Sequence, residues 1–427
     1  LSSYSNLSDI DNSDNPTTFG VYEKDGKYYL AKSKDKNKDQ SYFLCQISKE
    51  ALNGIAEAAE GGMRDALSFL DQAISLSDEI IDEKIAIMDT VDASFTHEWL
   101  DNIQNALESR KPDYLIVHHM EPDHSGCIET MMNKYPNLQI VTSAIAKQML
   151  SQFFSKFDFT GRIITIKEGD TLALGKHTLQ FIMAPMVHWP EVFVSYEQSE
   201  KILFSADAFG KFGALSHDEE WACEARRYYF NICGKYGAQV QALLKKVATL
   251  DVNQICPLHG PILHENLGYY LSLYDTWSSY KPETEGVFIA YASIYGNTAN
   301  VANEIAEKLK EKGIKVSVAD LCRSDMAEAI EDAFKYDSMI VAASSYEGSV
   351  MPVMHDFLHH LQHKNFQKRK VGIVENGSWA PSAGRVMRKM LEEMKEIEIV
   401  SPMVTLRSAM KQTDAETVNE LVKEMGK

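Results

Sequence analysis

Four side chains able to bind metal ions fall within six residues, at His119, Glu121, Asp123 and His124 in VHHMEPDHSG. Imidazole nitrogens and carboxylate oxygens packed this densely are the donor set of a metal centre. The stretch follows Tyr114–Val117, an apolar run that reads as a buried strand. If the backbone stays extended beyond it, His119, Glu121 and Asp123 point one way, because side chains alternate with period two. His124 then points elsewhere, where a second ion could sit. His118, one place out of phase, reads as a neighbour rather than a ligand. Such a cluster needs partners from farther along. His188 in APMVHWPEV, Asp207 in LFSADAFG and His259 in CPLHGPIL each lie at or just past a strand-like apolar run. The full set is four imidazoles and three carboxylates with no thiolate, and the hard oxygen donors favour iron or manganese over zinc. One carboxylate can bridge two ions, and Asp207 is the expected bridge. The other histidines, His97, His177, His217, His264 and the helix group His355, His359, His360 and His363, read as ordinary core or surface residues.

A second constellation lies in three loops of the C-terminal third. Ser293, Ile294, Tyr295, Gly296, Asn297 and Thr298 follow one strand and open a helix. Hydroxyls, a glycine and free backbone N–H groups at a helix N-terminus suit a monoester phosphate, although a plain helix cap uses the same residue types. Ser345, Tyr346, Glu347 and Gly348, then Asn376, Gly377, Ser378 and Trp379, sit at two later strand ends. Tyr346 and Trp379 suit the flanks of a flat isoalloxazine ring. No GxGxxG follows any strand, so a dinucleotide is not expected.

Patterning supplies the elements that must hold these groups. From Asp82 a strand (Lys84–Asp92), a helix (Ser94–Glu108) and the strand before the metal loop alternate. A helix (Glu129–Tyr135), a strand (Gln139–Thr142), a helix (Ala144–Phe154) and strand-like runs out to Phe204 follow. Trp221–Ala248 reads as one long helical region and Asn253–Pro257 as a last strand. This is a layered α/β pattern. The segment SSYKPETE, Ser278–Glu285, reads as a linker. Beyond it five strands alternate with helices, the signature of a doubly wound parallel sheet whose ligands bind past the carboxyl ends of its strands.

Composition narrows the partners. There are 43 Lys and Arg against 61 Asp and Glu, a formal net charge of −18, which argues against nucleic acid or an anionic membrane. No apolar run reaches the ~18–20 residues of a membrane helix. Six scattered cysteines without a CxxC pair argue against a disulfide framework and a rubredoxin-type iron site, and a cytoplasmic location is expected.

The spacing His119-x-Glu121-x-Asp123-His124, with His188, Asp207 and His259, resembles the flavodiiron proteins. Their fold is a metallo-β-lactamase-like αββα sandwich followed by a flavodoxin-like doubly wound parallel sheet. The resemblance divides the chain into an atypical segment 1–81, a di-iron domain 82–280 and an FMN domain 286–427. It implies that His119, Glu121, His188 and Asp207 hold one iron, while Asp123, His124, Asp207 and His259 hold the other. It also implies FMN bound by the three loops, with no catalytic residue beyond the iron ligands. Ser345 and Glu347 stand where the family carries Thr and Asn. The implied activity is reduction of O2 to water or of NO to N2O. Electrons come from an external donor such as rubredoxin, and the assembly is a head-to-tail homodimer or tetramer. Relatives that are zinc hydrolases carry His at the position of Glu121, so a zinc hydrolase is one alternative. An FMN electron carrier with a defective metal domain is the other.

The front of the chain departs from that family. TTFGVYEKDGKYYLAKSKDKNKDQSYFL resembles part of a tRNA 2-thiouridylase, and its centre reads as a hairpin around Lys24–Lys27. ALNGIAEAAEGGMRDALSFLDQAISLSD resembles a helical stretch of the DNA polymerase III tau/gamma subunit and reads as two helices over 49–79. With neither a Walker motif nor enough length for a site, the segment reads as chimeric.

Overall fold

The computed structural model describes residues 83–214 and 220–427 with their side chains; before residue 83 it describes only four strands. These are β1 (Ser3–Tyr4), β2 (Phe19–Lys24), β3 (Lys27–Lys32) and β4 (Phe43–Ile47), which form a separate sheet in that order. Antiparallel pairing of Phe19–Lys24 with Lys27–Lys32 is the hairpin expected there. The helices expected over 49–79 lie outside the described residues, as does His217.

Two sheets form the first sandwich. The parallel sheet runs β5 (Ala86–Met88), β6 (Tyr114–Val117), β7 (Gln139–Ser143) and β8 (Ile163–Ile166). The second runs β13-β12-β11-β10-β9, from β9 (Thr171–Ala173), β10 (Thr178–Met183), β11 (Phe193–Glu197), β12 (Ile202–Phe204) and β13 (Gln254–Cys256). Its pairings are antiparallel except β12 with β13. Period-two alternation decides what each sheet buries. Ile116, Val141 and Ile166 point inward onto Leu179, Phe181 and Phe193 of the facing sheet. Leu115, Val117 and Ile140 point outward onto α1 (Thr96–Leu107), α3 (Ile128–Lys134) and α4 (Ala144–Phe153) through Leu107, Met131 and Leu150. Between α1 and α3 lies the single turn α2 (Pro122–Ser125). Ser143 starts α4 by accepting from Ala146 N–H at 3.2 Å, a side-chain N-cap.

The other face of the second sheet is covered by α5 (Trp221–Ile232), α6 (Gly237–Val247) and α7 (Leu267–Ser278). The single helical region expected over 221–248 is therefore two helices. A short 3-10 turn over Gly234–Tyr236 separates them, and a Cβ at Gly237 would sit 2.3 Å from the Ser278 carbonyl oxygen.

The C-terminal sheet has the order β15-β14-β16-β18-β19. Its strands are β14 (Thr284–Ala292), β15 (Val316–Asp320), β16 (Tyr336–Tyr346), β18 (Arg369–Asn376) and β19 (Ile397–Ile399). These main pairings are all parallel. Counted from β14 this is 2-1-3-4-5, the flavodoxin-like winding. β17 (Ser349–Val350) folds back on β16, and β20 (Val404–Leu406) pairs with β18. Helices α8 (Asn297–Glu311) and α12 (Ala415–Met425) cover one face. α9 (Met326–Lys335), α10 (Pro352–His363) and α11 (Ala383–Glu392) cover the other. The last of the five expected strands is split into β19 and β20 around Pro402, which has no N–H to give a ladder. The opening strand expected over Lys84–Asp92 pairs only through Ala86–Met88. No helix among the described residues is long and apolar enough to cross a membrane.

The stretch expected to be a linker is pinned. The Arg369 guanidinium donates to the carbonyl oxygens of Tyr280, Phe334 and Tyr336 at 2.8, 2.5 and 2.7 Å. The Tyr280 hydroxyl donates to Gly234 O at 2.9 Å. Across the seam, Phe230 of α5 stacks on Phe334 of α9 with centroids 4.0 Å apart. Beside them Arg226 donates to Glu283 at 3.3 Å and lies 3.2 Å from Glu331.

Candidate metal centre and cofactor cleft

Three of the loops that carry expected ligands leave parallel strands. His119 to His124 follow β6, Asp207 follows β12 and His259 follows β13; His188 lies between β10 and β11. Pro122 opens α2, where its fixed φ suits the first helical position. That turn corrects one expectation. The backbone is extended only to Glu121, so Asp123 lies with His124 and not with His119 and Glu121.

Two groups result. In the first, His188 Nε2 lies 2.9 Å from Glu121 Oε2 and 3.1 Å from Asp207 Oδ2, and His119 Nε2 lies 3.1 Å from Glu121 Oε2. In the second, His259 Nε2 lies 3.0 Å from His124 Nε2 and 3.2 Å from Asp123 Oδ2, and His124 Nε2 lies 3.1 Å from Asp207 Oδ1. Asp207 thus offers one oxygen to each group. These separations are those of neighbouring donors around an ion with bonds of ~2.0–2.2 Å.

Electrostatics agree. Asp207 is 1% exposed, yet neither of its oxygens receives a well-formed hydrogen bond. A buried carboxylate left so is costly unless positive charge sits against it. Burial would raise the Asp207 carboxyl, but His124 and His188 outweigh it and hold it far below the usual range. Burial likewise pulls on His119, whose contacts with Glu121, Glu191 and Asp207 reverse the effect and raise it to about 10. Glu121 falls to about 2 beside His119 and His188. His124 and His188 are raised, with Asp207 prevailing over burial in both. Crowded carboxylates here hold imidazoles protonated, and cations binding there take the place of those protons.

Glu191, Asp89 and Ser195 form an outer layer that the sequence reading did not single out. His119 Nδ1 donates to Glu191 Oε1 at 2.8 Å, and Met120 N–H donates to the same oxygen at 2.9 Å. With Nδ1 committed to Glu191, Nε2 is the atom turned to the first group, and a cation binding there would take the place of its proton. His118 is absent from both groups. Its backbone N–H and Nδ1 meet Asp89 at 2.7 and 2.6 Å, and its Nε2 lies 2.7 Å from Ser195 Oγ. Only proximity to known motifs could have flagged them: Glu191 stands three residues after His188, and Asp89 ends an apolar strand.

The C-terminal loops enclose a cleft of about 260 Å3. All the expected cofactor residues line it except Gly296, whose φ of 88° instead forms the bend that starts α8. Thr298 Oγ1 and Ser344 Oγ are 3.0 Å apart, and Ser293 Oγ accepts from Gly296 N–H at 3.1 Å. Ser345 is turned away from a ligand role at its oxygen, which accepts from Ser382 and Ala383 N–H at 2.9 and 3.2 Å and so starts α11. Ser408 was missed; it follows β20 and its backbone pairs with the Asn376 amide at 2.9 and 3.0 Å. The residues fit a flavin mononucleotide: hydroxyls and a helix N-terminus for a phosphate, and aromatic rings beside an open cleft. Tyr295 is 93% and Trp379 86% exposed, large apolar faces that a bound ring would cover.

Comparisons with known proteins follow the same division. The ODP family beta lactamase profile matches residues 78–260, and a flavodoxin domain profile matches 288–420. In front, the tRNA methyl transferase HUP domain matches 15–58 and the DNA polymerase III clamp loader ATPase lid domain matches 45–79. An uncharacterized protein of Methanocaldococcus jannaschii is 31% identical, covering 65% of this chain and 72% of its own. A nitric oxide reductase of Moorella thermoacetica is 28% identical over 80% of this chain and 87% of its own. The chain spans 59% of the length of a diflavin flavoprotein from Nostoc. Among solved structures, rubredoxin oxygen:oxidoreductase of Desulfovibrio gigas superposes with a TM-score of 0.75 at 25% identity, covering 81% of this chain and 88% of that one. With both halves matched in this order within one polypeptide, the chain belongs to the flavodiiron protein family.

Proposed function

We propose that this chain is an oxidoreductase that takes electrons from an external donor through FMN to a di-iron centre, where O2 is reduced to water or NO to N2O. The observation that carries the reading is Asp207, a buried carboxylate with one oxygen in each of two histidine and carboxylate groups. The reading assigns His119, Glu121, His188 and Asp207 to one iron, and Asp123, His124, Asp207 and His259 to the other. When bound, the flavin exchanges electron pairs for single electrons, and paired ferrous ions deliver electrons to a small diatomic substrate. The protein's part is to fix the donor atoms, to hold the Nδ1 proton of His119 on Glu191, and to keep the Asp207 side of the site dry.

The same reading divides the chain into a metal domain, 82–280, and a flavin domain, 286–427. Tyr346 and Trp379 flank the ring, and the Ser293–Thr298 loop takes the phosphate. A donor such as rubredoxin, a head-to-tail homodimer or tetramer, and a cytoplasmic setting without nucleic acid or membrane complete it. The relatives named nitric oxide reductase and rubredoxin oxygen:oxidoreductase support the activity.

The test is the metal and flavin content of the purified chain, followed by O2 and NO consumption with a reduced donor. About two irons and one FMN per chain, with turnover of either gas, is the expected result. Zinc bound in preference when both metals are supplied, or FMN without iron, would overturn it.

A further inference from the structure

Outside the site just described, imidazoles are concentrated on one helix. His355, His359 and His363 recur at every fourth residue of α10, and all three are exposed. The helix buries its opposite side through Met354, Phe357, Leu358 and Leu361, so the row faces outward by the same periodicity that builds the core. Four residues of helix advance ~6 Å, which places side chains at i and i+4 one above the other. The rings show this. His355 and His359 lie nearly parallel with centroids 6.5 Å apart, and His359 and His363 approach to 4.1 Å.

Hydrogen bonding readies the row for a cation. His363 Nδ1 lies 2.9 Å from the His359 carbonyl oxygen. A carbonyl only accepts, so Nδ1 carries a proton and, in the neutral ring, Nε2 carries the lone pair. This is how metal-binding imidazoles are oriented, with the second nitrogen donating to a backbone oxygen. Among the described residues, the rings of His355 and His359 carry no hydrogen bond. Two lysines share a surface hollow with His360 and His363: Lys364 Nζ donates to Asn231 O at 3.1 Å in the seam between the two halves, and Lys235 Nζ lies 5.9 Å from the Tyr236 ring centroid. His360, on the same helix but off the row, leans to Asp356 at 3.8 Å.

We propose that His359, paired with His363 or with His355, forms a solvent-facing site for one divalent transition-metal ion of imidazole preference, zinc or copper(II). Two histidines four apart on a helix are a recurring metal-binding pair. Three in a row give two overlapping pairs with His359 common to both, and water completes the coordination. The absence of thiolates and carboxylates from the row selects against calcium, magnesium and manganese.

The test is calorimetric titration of the full-length chain with zinc chloride, with bound metals counted by elemental analysis before and after. The expected result is one zinc per chain taken up without release of metal already bound. His359→Gln, which breaks both pairs, lowers the affinity at least ten-fold, and His360→Gln leaves it unchanged. Copper(II) added in place of zinc shows nitrogen splitting in its EPR spectrum that His359→Gln removes. The proposal is overturned if His359→Gln binds zinc as tightly as the parent chain, if His360→Gln weakens binding equally, or if zinc enters only by displacing metal already held.

Discussion

Asp207 joins the two groups of proposed ligands with a single carboxylate, so its replacement tests both at once. Asp207→Asn keeps the shape and removes the charge, leaving two positively charged groups facing a neutral amide. Iron content is expected to fall to less than one per chain and gas turnover by at least ~100-fold, while FMN content stays unchanged. Elemental analysis and the visible flavin spectrum check this together. Glu191 acts through His119. Glu191→Gln weakens the acceptor that holds the Nδ1 proton and leaves its Met120 N–H contact in place. A chelator competition should show iron affinity reduced by ~10–100-fold. The two residues differ in how visible they are in the sequence. The proposed ligands announce themselves because four crowd into six positions. Glu191 reaches His119 across 72 residues and Ser195 reaches His118 across 77, contacts that only the packing of two sheets creates.

At the level of elements, the turn between β16 and β17 has Glu347 at φ 49° and Gly348 at φ 71°. Two consecutive left-handed residues are the two-residue hairpin turn that favours Asn-Gly. Glutamate is poorly suited to its first place, and it is also the one charged side chain lining the cleft among the described residues. Glu347→Asn should stabilise the apoprotein by on the order of 1 kcal/mol, read as a higher Tm. Loss of a negative charge from the cleft should also raise the flavin midpoint potential, measured by redox titration. Periodicity made most elements legible, because apolar alternation marks strands and 3.6-residue repeats mark helices. It was less useful at breaks. The region 221–248 keeps its helical pattern through Gly234, where the backbone changes direction. α12 buries Val418, Leu421 and Val422, yet it follows the last strand and no site reading called for it.

Across the whole molecule, Glu331 lies buried where α9 meets α5. Burial raises its carboxyl to about 7, and Arg226 offsets this only in part. A raised carboxyl means that the folded chain holds a proton which the unfolded chain releases above about 4.5. Stability from this group is therefore present below pH ~4.5, falls as the pH rises toward ~7, and stays lost above it. Glu331→Gln removes the titration. Its Tm relative to the parent chain should rise between pH 5 and pH 8, the whole effect being no more than a few kcal/mol. A flat difference across that range would show that Arg226 keeps Glu331 ionised throughout.

The seam has a consequence for how separable the two halves are. One apolar cluster runs without interruption from Val194 and Leu203 in the sandwich, through Tyr229, Phe230 and Trp277, to Phe334 on α9, Phe357 on α10 and Ile373 in the parallel sheet. Two genes joined end to end ordinarily leave two products that can be recovered by cutting between them. Here the cut would bare Phe230 on one piece and Phe334 on the other, so each excised piece should clump or be degraded where the intact chain remains dissolved. Two family profiles part the halves in sequence; in folding they have become one object.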